Sequence, residues 1–295
     1  MSYYNYYQKK EKRKSEALEH FRKMDILMKD EIRQSVKETK TYGGNGLPVP
    51  HTEKKRPGST VPNITVEPLD TVSALFLHQQ RKTAVLNFAS YQNPGGGFLE
   101  GSSAQEECLC HASTLYNILI HHPEFYTWNS RHKNNSLYTD RALYSKDIIF
   151  FDNGDTLTPP RQLKADVLTC AAPNYSAASK YGSVSADENL TALLERIRFV
   201  LDVAEDNHVD TLILGAFGCG VVPPKRLKIA RPMCWKKFIP ASIISSATFS
   251  ATAAAAASAI IFFSFSIFFC FFIIVFLLCF ISKHEAGIFI LRSCF

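Results

Sequence analysis

The sequence lacks a cysteine framework. Its eight cysteines show no spacing of the kind that staples small secreted domains, so free thiols in a reducing compartment are expected. It also lacks a repeated metal-ligand pattern. Cys108, Cys110 and His111 lie together, but no second ligand pair follows at a suitable interval. Two cysteines two apart on a helix point to different faces. No metal and no cofactor is expected. No secretory signal is expected at the start, because Met1 to Lys14 is tyrosine-rich and charged. Positive charge is scarce in the middle: residues 61–220 carry 11 Lys/Arg against 18 Asp/Glu. That argues against broad electrostatic binding of nucleic acid, and no direct DNA binding is expected. Negative charge is almost missing at the end, where residues 221–295 hold 8 Lys/Arg and one acid, Glu285. The first 60 residues are basic but mixed in sign, which suits a solvated helix face.

What is present is a pattern of helices alternating with short apolar strands. Residues 1–14 read as a disordered tail, and residues 15–40 as a helix with Ala17, Phe21, Met24, Ile26, Leu27, Ile32 and Val36 roughly at helical spacing. Residues 41–62, rich in Gly, Pro, Thr and Lys, read as a loop. A helix over Asp70 to Gln80 precedes a buried strand, Ala84 to Ala89. The spacing predicts a helix from Ser103 to Ile120, opened by a capping box with Ser103 at its N-cap and Glu106 at N3. Strands follow at Asp147–Phe151 and Ala165–Cys170. A second capping box, Ser185 with Glu188, opens a helix burying Leu190, Leu193, Leu194, Ile197, Val200 and Leu201. Thr211 to Ala216 is the last buried strand. This alternation implies an α/β fold, a mixed or mostly parallel sheet covered on both faces. Ligands of such sheets bind beyond the carboxyl ends of strands.

The composition changes after Gly220. Residues 221–258 form a low-complexity linker, and residues 259–281 are uncharged and nearly all Phe, Ile, Leu, Val and Cys. That run is long enough for a transmembrane helix. A C-terminal membrane anchor, a translated intron or frameshift, and a buried core helix compete as readings. Residues 282–295 are a short tail in which Ile288 to Leu291 offers one more strand.

The chemistry concentrates in Asn93-Pro94-Gly95-Gly96-Gly97, which follows the 84–89 strand, and in Gln105-Glu106-Glu107 seven residues on. Consecutive glycines let a backbone approach a ligand with no Cβ in the way. Their amides suit a diphosphate. Carboxylates at a helix start can bind ribose hydroxyls or protonate a departing oxygen, as in glycoside cleavage. Taken singly, each has an ordinary explanation: a turn, a cap, an acid favoured by the helix dipole. Strand, glycine turn and acid pair in this order argue for a phosphate-and-sugar ligand. Phe217-Gly218-Cys219-Gly220 ends the last strand in a second glycine loop.

Val85 to Ser90, Asn93 to Phe98, Ala104 to Glu107, Leu115-Tyr116, Leu137 to Asp140, Tyr144-Ser145, Ala171 to Asn174 and Leu214 to Gly220 resemble the bacterial-type poly(ADP-ribose) glycohydrolases, enzymes of the macrodomain superfamily. The resemblance covers about residues 15–220. It implies a macrodomain-like three-layer α/β/α sandwich with an N-terminal helical extension. It implies hydrolysis of ribose–ribose bonds, releasing ADP-ribose from the chain end. Glu107 would be general acid and then base, and Glu106 would hold the ribose. Gly95, Gly96 and Gly97 would contact phosphates and ribose, and Gly218, Cys219 and Gly220 would form the second diphosphate loop. Asn87, Asn93, Phe98 and Gln105 complete the expected substrate contacts. The implied partners are poly(ADP-ribose) or ADP-ribosylated proteins, in the cytoplasm or nucleus, with membrane attachment as the alternative if residues 259–281 anchor the chain. Past Gly220 the family continues with a phenylalanine where Val222 stands. A non-catalytic ADP-ribose reader, and an inactive or membrane-tethered isoform, are the alternative functions.

Overall fold

The computed structural model describes residues 3–49, 64–67, 69–152, 161–218 and 289–291. Among them a seven-stranded mixed sheet runs in the order β1-β4-β5-β3-β6-β7-β2. The strands are β1 Lys40–Tyr42, β2 Ile64–Val66, β3 Thr83–Phe88, β4 Ala142–Phe151, β5 Gln162–Cys170, β6 Thr211–Ile213 and β7 Phe289–Leu291. Central β3 is parallel to both β5 and β6, whereas β4 is antiparallel to β5 and to β1. β7 runs parallel between β6 and β2, so the short apolar run near Leu291 does supply a strand.

The helices are α1 Tyr3–Leu27, α2 Lys29–Glu38, α3 Thr71–His78, α4 Gln105–His111, α5 Leu115–Leu119, α6 Pro123–Arg131, α7 Tyr175–Tyr181 and α8 Ala186–Asp206. They cover both sheet faces and enclose two apolar clusters. One joins Ala17, Met24 and Ile32 of α1 and α2 with Leu75, Leu109, Leu115 and Phe125 beneath β3 and β4. The other packs Ile197, Phe199, Val200 and Val203 of α8 on Leu86, Tyr144 and Leu168. The sandwich is therefore three-layered.

Several elements differ from expectation. The segment up to Lys14, read as a tail, is helical from Tyr3 and continuous with α1. Arg13 anchors it, its Nε donating to the Gly101 carbonyl at 2.8 Å. The long 103–120 helix is two helices. Between them Ser113 bridges Phe150 of β4, and its hydroxyl donates back to the Leu109 carbonyl. β4 starts five residues earlier than expected, because an irregularity between Ser145 and Ile148, with Asp147 at φ 55°, interrupts the apolar run. The Ser185–Glu188 capping box forms, with Glu188 accepting from the Ser185 amide at 2.8 Å. Leu190, one turn in, is exposed rather than buried, while Arg196 occupies the buried stripe.

No helix among the described residues is long and apolar enough to cross a membrane. The 221–258 linker, the 259–281 run and Val222 lie outside the described residues, as do residues 50–62 of the expected loop and all of the 282–295 tail except β7.

Candidate active site

Topology gathers the candidate residues at one end of the sheet. β3, β5 and β6 run parallel, so their carboxyl ends meet there, and antiparallel β4 enters from the same end. The ends of β3 and β6 are tied by Phe88 and Phe217, whose ring centroids lie 5.6 Å apart.

The loop after β3 is a tight coil. The Gly96 amide donates to the Asn93 carbonyl at 3.1 Å and the Phe98 amide to the Gly95 carbonyl at 3.0 Å. Gly95 and Gly96 adopt φ of 66° and 59°, a region costly for residues with a Cβ. Space forbids a side chain as well. A Cβ on Gly95 would meet Tyr116 Cδ2 at 2.5 Å, and one on Gly97 would meet Ser102 Oγ at 2.4 Å. On Gly96 it would meet Glu107 Oε1 at 2.6 Å and Glu106 Oε2 at 3.0 Å. Both carboxylates thus converge on the one loop position where no side chain intervenes.

The cap of α4 falls one residue later than expected. Ala104 is the N-cap, so Glu107 rather than Glu106 stands at N3, and its Oε2 accepts from the Ala104 amide at 2.8 Å. Glu107 Oε1 accepts from the Gly97 amide at 2.8 Å, joining helix start to glycine loop. Glu106 turns to the strand end instead. Its Oε2 accepts from the Ser90 amide at 2.6 Å and its Oε1 from Asn87 Nδ2 at 3.2 Å. Burial dominates over these bonds and pushes the Glu106 carboxyl up to about 8.

Asn87 is fully buried and also donates to Thr169 Oγ1 of β5 at 3.3 Å, while its Oδ1 has no partner. Asn93 stays exposed at the loop's start, its amide bonded to Ser90 Oγ at 3.2 Å.

Two expected substrate contacts are placed otherwise. Gln105 has its amide spent on the backbone of β3: Nε2 donates to the Leu86 carbonyl and Oε1 accepts from the Phe88 amide, both at 2.9 Å. Phe98 is wholly buried against His111 and Tyr116, so its side chain anchors the loop from below. Gly218 lies at φ 82°, facing Leu193 and Ala172 beside the β5 end. Cys219 and Gly220 lie outside the described residues. Cys108 is exposed and Cys110 buried, on different faces of α4.

Sequence reasoning missed Ser90, whose amide holds Glu106, and Thr169, which holds Asn87. It also missed Arg196. This guanidinium is 2% exposed, donates from Nε to Asp140 Oδ1 at 2.6 Å and also bonds the carbonyls of Ala171 and Leu137. A charge at position 196, three residues after Leu193 and four before Val200, falls within the apolar stripe, and that was the available signal.

The sequence profile described as microbial-type PARG, catalytic domain, matches residues 7–153. No curated protein sequence matches the chain. Among solved structures, poly(ADP-ribose) glycohydrolase from Thermomonospora curvata is similar at 31% identity, over 72% of this chain and 81% of that one, with a TM-score of 0.63. The same enzyme bound to the inhibitor ADP-HPD matches over the same shares at 31% identity, with a TM-score of 0.58. The Deinococcus radiodurans glycohydrolase in complex with ADP-ribose is similar at 25% identity over 90% of this chain and 92% of that one, with a TM-score of 0.62.

Proposed function

Because the chain belongs to the microbial-type poly(ADP-ribose) glycohydrolases, glycosidases acting on poly(ADP-ribose), we propose that Glu107 protonates the departing oxygen of a ribose–ribose bond and then activates water. The polymer is cut at its free end and ADP-ribose leaves. Glu106 holds the terminal ribose by its hydroxyls. The bare backbone of Gly95 to Gly97, with no Cβ in the way, and the loop at Gly218 take the diphosphate. The substrate is the polymer, or the same linkage carried by ADP-ribosylated proteins.

The observation that carries this reading is the convergence of Glu106 and Glu107 on Gly96. A sugar resting on that glycine would have two acids on one side and side-chain-free backbone beneath it. An oxocarbenium-like transition state requires a proton donor at the leaving oxygen and negative charge nearby. Glu107→Gln should lower the rate of ADP-ribose release by about 10²–10⁴-fold. Unchanged release would overturn the assignment.

A second assignment has one observation in its favour. Burial holds the Glu106 carboxyl near 8, so it keeps its proton at neutral pH and is itself equipped as a donor. ADP-ribose carrying an aryloxy leaving group separates the two. Such a group departs without protonation, so the variant lacking the true acid recovers its rate on that substrate. Recovery by Glu107→Gln supports the first assignment, and recovery by Glu106→Gln the second.

A further inference from the structure

Tyr138 stands on the β4 side of the cleft in a conformation that a bulky residue rarely adopts. Its φ is 63°, and the three residues from Asn134 to Ser136 also have positive φ. Strain of this kind persists only where surrounding structure enforces it, and it concentrates at functional sites. The enforcement is visible. Arg196 bonds the Leu137 carbonyl on one side of Tyr138 and the Asp140 carboxylate on the other, and reaches the Ala171 carbonyl at the β5 end. The Tyr138 ring lies flat on Tyr91, centroids 4.0 Å apart and planes 11° from parallel. Tyr91 is buried, and its hydroxyl donates to the His132 carbonyl at 2.8 Å and meets Thr139 Oγ1 at 3.0 Å. Tyr138 is only half-buried. The stack thus covers Tyr91, the residue after Ser90 whose amide holds Glu106, and leaves Tyr138 partly open.

We propose that Tyr138 is an aromatic platform for the adenine of the unit from which the terminal ADP-ribose is cut. The inference rests on the catalytic reading above. With the terminal ribose at the acid pair and its diphosphate between the loops at Gly95 and Gly218, the released unit occupies the β3–β6 side. The β4–β5 side is left for whatever the scissile oxygen is attached to. In the polymer that oxygen belongs to the ribose carrying the preceding adenine, so a purine lies one sugar from the acids. A tyrosine braced from behind and open in front offers a π-face to it.

The test uses the full chain with Tyr138→Gly, Tyr138→Leu and Tyr138→Phe. Glycine suits a φ of 63°, so its variant should melt close to wild type. It should bind free ADP-ribose with unchanged Kd and lose about tenfold or more in kcat/KM on poly(ADP-ribose). Leucine, which keeps an apolar cover on Tyr91, should show the same split, and phenylalanine should match wild type. Wild-type efficiency of the glycine and leucine variants on polymer would overturn the proposal, as would an equal loss of affinity for free ADP-ribose. A wild-type chain that releases no ADP-ribose from polymer would instead overturn the catalytic reading beneath it.

Discussion

Tyr116 lies directly beneath Gly95, its Cδ2 only 2.5 Å from where a Cβ on that glycine would stand. The tyrosine is in turn held by Phe21 of α1, ring centroids 5.5 Å apart, and by Phe98 at 4.9 Å. The glycine loop therefore rests on an aromatic stack that begins in the N-terminal helix. Gly95→Ala should meet two penalties, a left-handed φ and a clash with a ring that cannot retreat. We expect a stability loss of about 1–3 kcal/mol and a large loss of activity. Gly95→Ala combined with Tyr116→Leu should recover part of the stability, read by denaturant unfolding. Equal instability of the single and double variants would show that backbone strain alone is responsible.

Glu106 makes the fold sensitive to pH in a definite direction. Its folded value of about 8 lies above the ordinary 4.5. Below 4.5 both folded and unfolded chains carry it neutral, and its full contribution is present. As pH rises from 4.5 to 8 the unfolded chain gives up this proton while the folded chain keeps it, so stability is lost across that window. Glu106→Gln removes the linkage. The melting temperature of the variant minus that of wild type should climb between pH 5 and pH 8. A flat difference would mean that Glu106 ionises in the folded chain as it does in the unfolded one.

Arg13 should matter to catalysis despite lying outside the cleft. Its bond to the Gly101 carbonyl pins the turn following the glycine loop, and the Lys10 carbonyl lies 2.4 Å from the place of a Cβ on Gly101. Arg13→Ala, or removal of residues 1–14, should loosen the amides of Gly95 to Gly97 and lower kcat/KM by about tenfold. Arg13→Lys should restore part of the loss. If deletion leaves steady-state kinetics unchanged, the segment is packing only.

The sequence made β3, the glycine loop and the acid pair legible because each carries a local signal: a continuous apolar run, a Pro-Gly turn, acids at a helix start. The break between α4 and α5 was not legible. It depends on Ser113 meeting Phe150 across 37 residues of chain, and no helical periodicity records that contact. The helical state of residues 3–14 depends in part on a carbonyl 88 residues away. The capping register slipped by one because Ser103 with Glu106 fits the sequence pattern, whereas Ala104, with no side-chain oxygen, gives no signal as an N-cap. Only the Gly97 amide, waiting across the loop, selects Glu107 for N3. Arg196 was hidden by its charge, since its partners lie 25 to 59 residues away on loops that meet only once the sheet has formed.

The amide of Gln105 has a consequence for the shape of the cleft. The ladder between β3 and β6 ends at the pair Val85 and Ile213. The next two rungs that β3 offers on that side are the Leu86 carbonyl and the Phe88 amide, and Gln105 fills both. The side chain works as a stopper in a zipper. With those groups occupied, β6 cannot close further along β3, and the chain after Ile213 is diverted away as a loop. The gap between the two strand ends is thus wedged open by one glutamine, which stands immediately before the two acids in sequence.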